Sequence, residues 1–407
     1  MAISPVRARP FNNNQGGATV KSKTKLLLAC AILAGLGAGL SQSAKAADPY
    51  KIGVLHSFGG YLAAMGTASR DGFLAAVDVI NKRGGVNGRQ LNGIVENDES
   101  DPAKGVPAAI RLMNSEKVVA LVGPVRSDTS EALGPLVAKE QIIEMTGAFM
   151  LPKVNSFTFT TLPPPQEEAK IAVALLKKKG AKSVALIHSI DIYNSTCAKL
   201  FGEEAERNGI KVLATESYNS AQDRNFIPQL TKFKAAGPEW MAIFGGGAPV
   251  PLILKQKYEI GLQSTVIGNL AFTTAGIASL VQIAGKDIEG AYFITLPVAV
   301  WETLPKGDPR LKSIDEFREA YKAKYNNYPE MAHWWAAQNY DIALLLAEAL
   351  KKAGPDANGA ALKAAMEGIT NFKGVAATYN FSPTEHAGAT GFVIGQIGAA
   401  GKVSLAQ

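Results

Sequence analysis

Cysteine is almost absent from this chain of 407 residues, which has only Cys30 and Cys197. The four histidines are spread along the sequence, so no cluster has the spacing of a zinc or iron–sulfur site. Common catalytic motifs are also missing: there is no G-x-S-x-G elbow, no H-E-x-x-H pair and no G-x-x-x-x-G-K-[ST] loop. We therefore expect a protein that is not an enzyme and that holds no metal or cofactor.

Acidic residues are missing from the first 46 positions, which carry six basic ones. An apolar run, residues 26–40, follows Lys25, and a small-residue A-x-A sequence ends at Ala46. This combination predicts a secretory signal peptide over residues 1–46, cleaved near Ala46 or Ala47. An uncleaved anchor is the alternative, but the apolar run is short for a membrane span. We expect the mature protein in the periplasm, without stable insertion into the membrane.

Removal of this segment changes the charge balance. The full chain has a formal net charge of +7, whereas the residues after position 46 comprise 36 basic and 35 acidic ones, or about +1. The basic surface that nucleic acids require is therefore not expected. Because Cys197 is the only cysteine left, no internal disulfide can form, and stability has to come from hydrophobic cores.

From Tyr50 onward, short β-like runs alternate with amphipathic helical segments. A first set ends before the proline-rich sequence 160–165, and a second set runs from Glu167 to about residue 295. Alternation at this spacing predicts parallel sheets with helices on both faces. The length of the chain favours two domains. Two long helices, a shorter one and a β-rich tail from Thr378 complete the predicted elements.

Several short stretches, taken in their order and spacing, resemble the type I periplasmic binding proteins of the branched-chain amino-acid group, which serve ABC transporters. The resemblance covers nearly all of the chain after Tyr50, and it implies a monomeric binding protein that meets ABC transporter permease subunits. The stretches are Ile52-Gly-Val-Leu55, Asp71 to Asn81, Gly84 to Gly88, Asn97 to Pro102, Val122-Gly-Pro124, Phe244-Gly-Gly246 and Tyr340-Asp341-Ile-Ala-Leu344.

The resemblance implies an α/β fold of two doubly wound, Rossmann-like lobes joined by a three-strand hinge. Lobe 1 would comprise residues 48–163 and 297–375, and lobe 2 residues 164–296 and 376–407. Ligands of doubly wound sheets bind beyond the carboxyl ends of the strands. We therefore expect a small carboxylate ligand in the cleft between the lobes, enclosed by closure about the hinge.

In lobe 1 the sequence from Gly123 to Glu131 is expected to begin a helix, with Asp128 and Glu131 spaced like a capping box. The N–H groups at such a helix end suit a carboxylate. The resemblance assigns Ser127 to the ligand carboxylate, and simple helix capping is the alternative. Arg126 could bind the same carboxylate, or it could form a surface ion pair.

Two further positions in lobe 1 depart from the family pattern. The resemblance aligns Ala148, Phe149 and Met150 with the loop that holds the ligand head group, but Met150 stands where threonine is usual. Phe149 and Met150 are core residues in the alternative interpretation. The family often joins the positions of Ser100 and Arg126 by a disulfide, and both cysteines are absent here.

In lobe 2 the resemblance assigns Tyr193 to a cap over the ligand and Gly246 to a neighbouring loop. His333, which these bounds place in lobe 1, stands at a ligand-lining position and could pair with a carboxylate or pack beside its two tryptophan neighbours. Amino-acid-binding members usually carry an acid in the loop that here contains Leu270 and Ala271. Without that acid, a buried ammonium group would lack a negative partner.

The missing acid decides the ligand predicted from the sequence. We expect an aromatic or aliphatic carboxylate or a keto acid, and we keep two alternatives. The first is a branched-chain or other hydrophobic amino acid. The second is a sensor of amides or other small solutes with the same fold.

Overall fold

The computed structural model describes residues 47–149, 156–328 and 333–406. The predicted signal peptide over residues 1–46 and the predicted ligand residue Met150 lie outside these described residues. So does the last residue of the predicted second lobe, Gln407. In the described part of the chain, no helix is both long and apolar enough to cross a membrane.

The first half of the chain forms a parallel sheet with the strand order 2-1-3-4-5. The last of these strands pairs with its neighbour over three residues and was not predicted, because so short a run has no readable period. The elements are β1 (Tyr50–His56), α1 (Ala63–Lys82), β2 (Leu91–Asn97), α2 (Pro102–Asn114), β3 (Ala120–Val122), α3 (Ser127–Glu140), β4 (Ile143–Thr146) and β5 (Thr158–Thr160).

The middle of the chain forms a second, mixed sheet. Its parallel strands, which the alternating pattern predicts, have the order 10-9-8-6-7. Two antiparallel strands from the end of the chain extend it beyond strand 10. The elements are α4 (Pro165–Lys178), β6 (Ser183–Ser189), α5 (Ile192–Arg207), β7 (Lys211–Tyr218), α6 (Ile227–Ala236), β8 (Trp240–Phe244), α7 (Pro249–Glu259), β9 (Thr265–Gly268), α8 (Ile277–Ala284) and β10 (Tyr292–Thr295).

The last third of the chain returns to the first sheet and then to the second. A small three-stranded antiparallel sheet follows three helices, and the two strands after it join the second sheet. The elements are α9 (Arg310–Tyr325), α10 (His333–Ala353), α11 (Gly359–Glu367), β11 (Phe372–Lys373), β12 (Thr378–Tyr379), β13 (Ala389–Thr390), β14 (Val393–Ile397) and β15 (Val403–Leu405).

The small sheet belongs with the first lobe, which moves the last predicted boundary. Its Tyr379 hydroxyl donates to Asp341 on α10 at 2.8 Å, and the His386 ring stacks on Phe159 of β5 at 3.8 Å. Only from Val393 does the chain pair with the second sheet. The structure therefore favours a last crossing near residue 391, later than the predicted boundary at 376.

Helices cover both faces of each sheet, as the alternation predicts. In the first lobe, α1 and α10 pack so closely that a Cβ on Gly72 would lie 2.0 Å from the Ala336 carbonyl oxygen. The opposite face buries Leu121 of β3 against Leu112 of α2 and Leu133 of α3. Apolar burial at roughly 25 cal/mol per Å² dominates the stability of such layers. The two sheets then hold the loops at their carboxyl ends in fixed positions.

Candidate functional site

The start of α3 is the predicted carboxylate site in lobe 1. The helix begins at Ser127, and the preceding Arg126 is its N-cap with extended backbone angles. Asp128 is therefore the second residue of the helix, and the predicted capping box with Glu131 is wrong. In the described part of the chain the Ser127 hydroxyl makes no hydrogen bond, so it can accept or donate to a ligand at this helix end.

Arg126 is engaged by its own neighbourhood. Its Nε donates to Asp128 Oδ1 at 2.8 Å, a second nitrogen contacts Asp128 Oδ2, and Nη1 donates to the Ser100 carbonyl at 3.0 Å. Burial raises the pKa of Asp128, but the hydrogen bond and charge of Arg126 outweigh it, and the pKa lies below its ordinary value. These contacts agree with the alternative prediction of an ion pair. They also link Arg126 to Ser100, the two positions for which the resemblance implied a disulfide in other members.

In the loop after β4, both backbone polar groups of Ala148 already have hydrogen-bond partners within lobe 1. Ala148 N donates to Thr146 Oγ1 at 2.9 Å, and the Ala148 carbonyl accepts from Thr160 Oγ1 at 2.7 Å. The neighbouring Phe149 is buried, and its ring lies 5.8 Å from that of Tyr193 in lobe 2. Predicted site residues of the two lobes therefore meet at this aromatic contact.

Tyr193 lies in the first turn of α5, whose N-cap Asp191 accepts from Asn194 N. The Tyr193 hydroxyl donates to Glu168 Oε2 at 3.0 Å. Desolvation and the nearby Glu168 charge raise the pKa of this tyrosine well above its ordinary value, so the phenol stays protonated. Tyr193 thus links Phe149 of lobe 1 to a carboxyl group inside lobe 2.

Glu168 is the group that the sequence analysis missed. It lies in the first turn of α4, is only 3% exposed, and accepts from Leu270 N at 2.6 Å and from the Cys197 thiol at 3.5 Å. Desolvation raises its pKa to about 7, partly offset by the hydrogen bonds of Leu270, Tyr193 and Cys197. A signal was present: Glu168, Ala172 and Leu175 share one helix face, and an acid on an apolar face is unusual.

The remaining predicted residues of lobe 2 come together beside this carboxyl. Leu270 is buried, Ala271 is half-buried, and a Cβ on Gly246 would lie 2.6 Å from the Ala271 carbonyl oxygen. Glycine is therefore needed for the close approach of the two loops. Between them, the Asn269 amide accepts from Gly245 N at 3.2 Å and donates to Asn194 at 2.8 Å.

A small apolar void lies directly under Glu168, between α4, α5 and the second sheet. It has space for about one water molecule, so it is not itself a ligand pocket. Its lining is Pro165, Glu168, Ala169, Ala172, Cys197, Phe201, Ala242, Phe244, Ile267, Gly268, Asn269 and Ile294.

Another polar group that the sequence analysis did not single out ends β1. His56 is fully buried, and its Nε2 lies 3.1 Å from Asn339 Oδ1 on α10. Burial lowers its pKa to about 3, so the ring is neutral at ordinary pH. Beside it, the Ser57 hydroxyl donates to the buried Asp98 at 2.5 Å. The first contact joins the end of β1 to α10, and the second joins the ends of β1 and β2, so we interpret both as structural.

Two further predictions concern the ligand role of His333 and the binding of metal ions. His333 begins α10, but its side chain is outside the described part, so its ligand role stays a prediction. Within the described ranges no group of histidine, cysteine, aspartate and glutamate side chains could hold a metal ion.

The chain matches a family model. Residues 49–402 fit the model described as periplasmic binding protein. A curated relative, the leucine-, isoleucine-, valine-, threonine- and alanine-binding protein of Pseudomonas aeruginosa, is 30% identical over 323 residues, which is 78% of this chain and 82% of that protein.

Solved structures agree on the architecture. The branched-chain amino acid transporter substrate binding protein LivJ of Streptococcus pneumoniae, solved with isoleucine, is 25% identical with a TM-score of 0.72, over 88% of this chain and 99% of that one. An extracellular ligand-binding receptor of Rhodopseudomonas palustris is 24% identical with a TM-score of 0.77, over 88% and 99% respectively. The two-lobe α/β fold predicted from the sequence is confirmed.

Proposed function

The chain belongs to the type I periplasmic binding protein family, and from this premise we propose that it is the substrate-binding component of an ABC importer. It binds a small solute between its lobes and presents it to the permease subunits, without chemical conversion. The observation that carries the proposal is the contact of Phe149 with Tyr193, which brings the predicted site residues of both lobes to one place at the strand ends.

The ligand class that we propose is a hydrophobic amino acid of the branched-chain type. The names of the Pseudomonas aeruginosa protein and of LivJ supply this substrate class. The open hydroxyl of Ser127 at the start of α3 suits the carboxylate of the amino acid. Tyr193 and Phe149 supply apolar surface for its side chain.

A second candidate is an organic acid without an ammonium group, such as a keto acid. One observation favours it: the loop after β9 carries Asn269, Leu270 and Ala271 in place of an acid, and Asn269 is already bound to Asn194 and Gly245. A ligand that lacks the ammonium would need no acid in this loop.

Export and assembly are part of the same proposal. The basic, apolar and small-residue segments of residues 1–46 support cleavage near Ala46 or Ala47 and delivery to the periplasm. We propose that the mature protein acts there as a monomer and contacts permease subunits.

A thermal-unfolding screen tests the function and separates the two ligand classes. L-leucine, L-isoleucine and L-valine are compared with the 2-oxo acid of each, using mature protein without residues 1–46. At a hundred times Kd, a bound ligand adds about 2.7 kcal/mol to the free energy of unfolding. We expect stabilisation by at least one amino acid. Stabilisation by 2-oxo acids alone would favour the second candidate, and no stabilisation by either set would contradict the function.

The matched variant is Ser127→Ala, which leaves the neighbouring ion pair of Arg126 and Asp128 intact. Loss of the hydroxyl should weaken the binding of amino acids and of 2-oxo acids by the same factor, about tenfold, because both carry the carboxylate. Unchanged binding of both would mean that the start of α3 is not the carboxylate site.

A further inference from the structure

We propose that Glu168 binds the ammonium group of the ligand and so makes this protein selective for amino acids. The inference rests on the proposed function, since it assigns one end of an amino acid in the cleft. It moves the acidic partner from the loop after β9, where the sequence lacks it, to the first turn of α4.

The position of the carboxyl group is the first argument. Its Oε1 lies 2.6 Å from Leu270 N, and its Oε2 lies 3.0 Å from the Tyr193 hydroxyl. Leu270 is a predicted ligand residue in the loop after β9. Tyr193 is the residue that touches Phe149 of the other lobe. A carboxyl group from a different helix therefore contacts two of the predicted ligand residues of lobe 2.

The missing counter-charge is the second argument. Glu168 is 3% exposed, and within the described part of the chain no Lys, Arg or His forms an ion pair with it. A buried carboxylate without a cation is costly, by several kcal/mol in ordinary proteins. A ligand ammonium would remove that cost, and it would be bound more tightly than a neutral group of the same shape.

The capacity of the carboxylate is the third argument. Two carboxylate oxygens offer about four acceptor positions. The Leu270 N–H, the Tyr193 hydroxyl and the Cys197 thiol occupy three of them, the thiol only weakly at 3.5 Å. One position stays available for an N–H of an ammonium group. The side chain is thus held in place without being saturated.

The groups that face Glu168 leave its charge free to respond to a ligand. From α5, Tyr193 and Cys197 both have pKa values raised well above the ordinary ones, mainly by desolvation, so both stay neutral. The loop after β9 contributes only a backbone N–H. On its own helix, Glu167 pairs with Lys170 at 2.9 Å on the solvent side.

Isothermal titration calorimetry tests the assignment in the mature protein. The probes are L-leucine, L-isoleucine and L-valine and the 2-oxo acid of each. The variants are Glu168→Gln, which keeps the shape and removes the charge, and Glu167→Gln, a control one residue away. We expect Glu168→Gln to weaken amino acids at least about 30-fold and to leave or improve the binding of 2-oxo acids. Glu167→Gln should match wild type for both.

A second readout works on the wild-type protein and is independent of how the variant folds. Because the pKa of free Glu168 is about 7, about half of the carboxyls carry a proton at pH 7. Binding of an ammonium requires the ionised form, so titrations in buffers of different ionisation enthalpy should show release of about half a proton with amino acids. Binding of 2-oxo acids should release none.

The outcomes separate the two levels of the proposal. Equal amino-acid affinity in wild type and Glu168→Gln, or equal proton release with both ligand sets, would overturn the role of Glu168 and leave the function standing. Binding of 2-oxo acids alone by wild type would overturn it together with the first ligand class. Binding of neither set would overturn the proposed function as well.

Discussion

Asp341 in the first lobe and Glu168 in the second are both buried carboxyl groups, and desolvation raises the pKa of each to about 7. Their surroundings differ. Asp341 accepts from Val375 N at 2.7 Å, Ala376 N at 2.8 Å and the Tyr379 hydroxyl at 2.8 Å. Glu168 accepts one backbone N–H, one hydroxyl and one distant thiol.

The donors show what each group does. The donors of Asp341 come from the segment that follows α11, so this carboxyl ties the small sheet to α10. The donors of Glu168 come from α5, which carries the predicted ligand residue Tyr193, and from the loop after β9, which carries the predicted ligand residue Leu270. Burial and a raised pKa alone therefore do not identify a ligand site. The origin of the donors and an acceptor position left open make the difference.

The largest expected effect is on stability, at Asp341. Asp341→Ala removes the acceptor of two buried N–H groups and one buried hydroxyl, and we expect a loss of about 3 kcal/mol or more in the free energy of unfolding. Urea unfolding measures it. Glu168→Ala should cost less, because it leaves one backbone N–H instead of two, besides one hydroxyl and a distant thiol, and the void beside it can admit a water. An equal or larger loss at Glu168 would make that residue the structural anchor.

The next effect is a dependence on pH that both carboxyls share in the free protein. Since each folded-state pKa is raised, the folded state binds more protons than the unfolded state between about pH 4.5 and 7. The stability that each group adds at low pH is therefore lost as pH rises through 7. Relative to Asp341→Asn or Glu168→Gln, the free energy of unfolding of wild type should fall by about 2 kcal/mol between pH 5 and 7.

The amino-acid ligand should then break this symmetry. With the ligand bound, Glu168 is held ionised. The difference in unfolding free energy between wild type and Glu168→Gln should then depend on pH in a different way than in the free protein. The difference between wild type and Asp341→Asn should keep the pH dependence that it has without ligand. Burial of neutral His56, whose pKa is lowered to about 3, acts in the opposite sense, but it is common to wild type and variants and cancels in the difference. If the difference in unfolding free energy between wild type and Asp341→Asn did not change with pH, the raised pKa of Asp341 would be contradicted.

The smallest effect is expected at Arg126. Because its guanidinium already binds Asp128 and the Ser100 carbonyl, Arg126→Ala should change ligand affinity by less than about threefold and stability by less than about 1 kcal/mol. Calorimetry with the best ligand of the screen measures the affinity. A tenfold loss confined to carboxylate ligands would show that Arg126 turns into the cleft.

Much of the fold could be predicted because its signals are local. The alternation of helical and extended periods predicted most strands of both sheets, such as β1 and β6, and helix faces such as that of α1. The exceptions lack a readable local period: β5 has three residues, and the small sheet after α11 has strands of two residues each. Its place beside α10 depends on Asp341, a contact distant in sequence.

The sequence by itself determined the α/β class with two sets of alternating strands and helices, since this follows from spacing along the chain. It also predicted a helix just after Gly123, but the structure begins that helix at Ser127 without the predicted capping box. Only the tertiary structure decided the charge of the site. It turned Arg126 towards Asp128, and it brought Glu168 from the first turn of α4 to Leu270, 102 residues away. Packing of α4 and α5 on the second sheet creates that contact, and no local pattern encodes it.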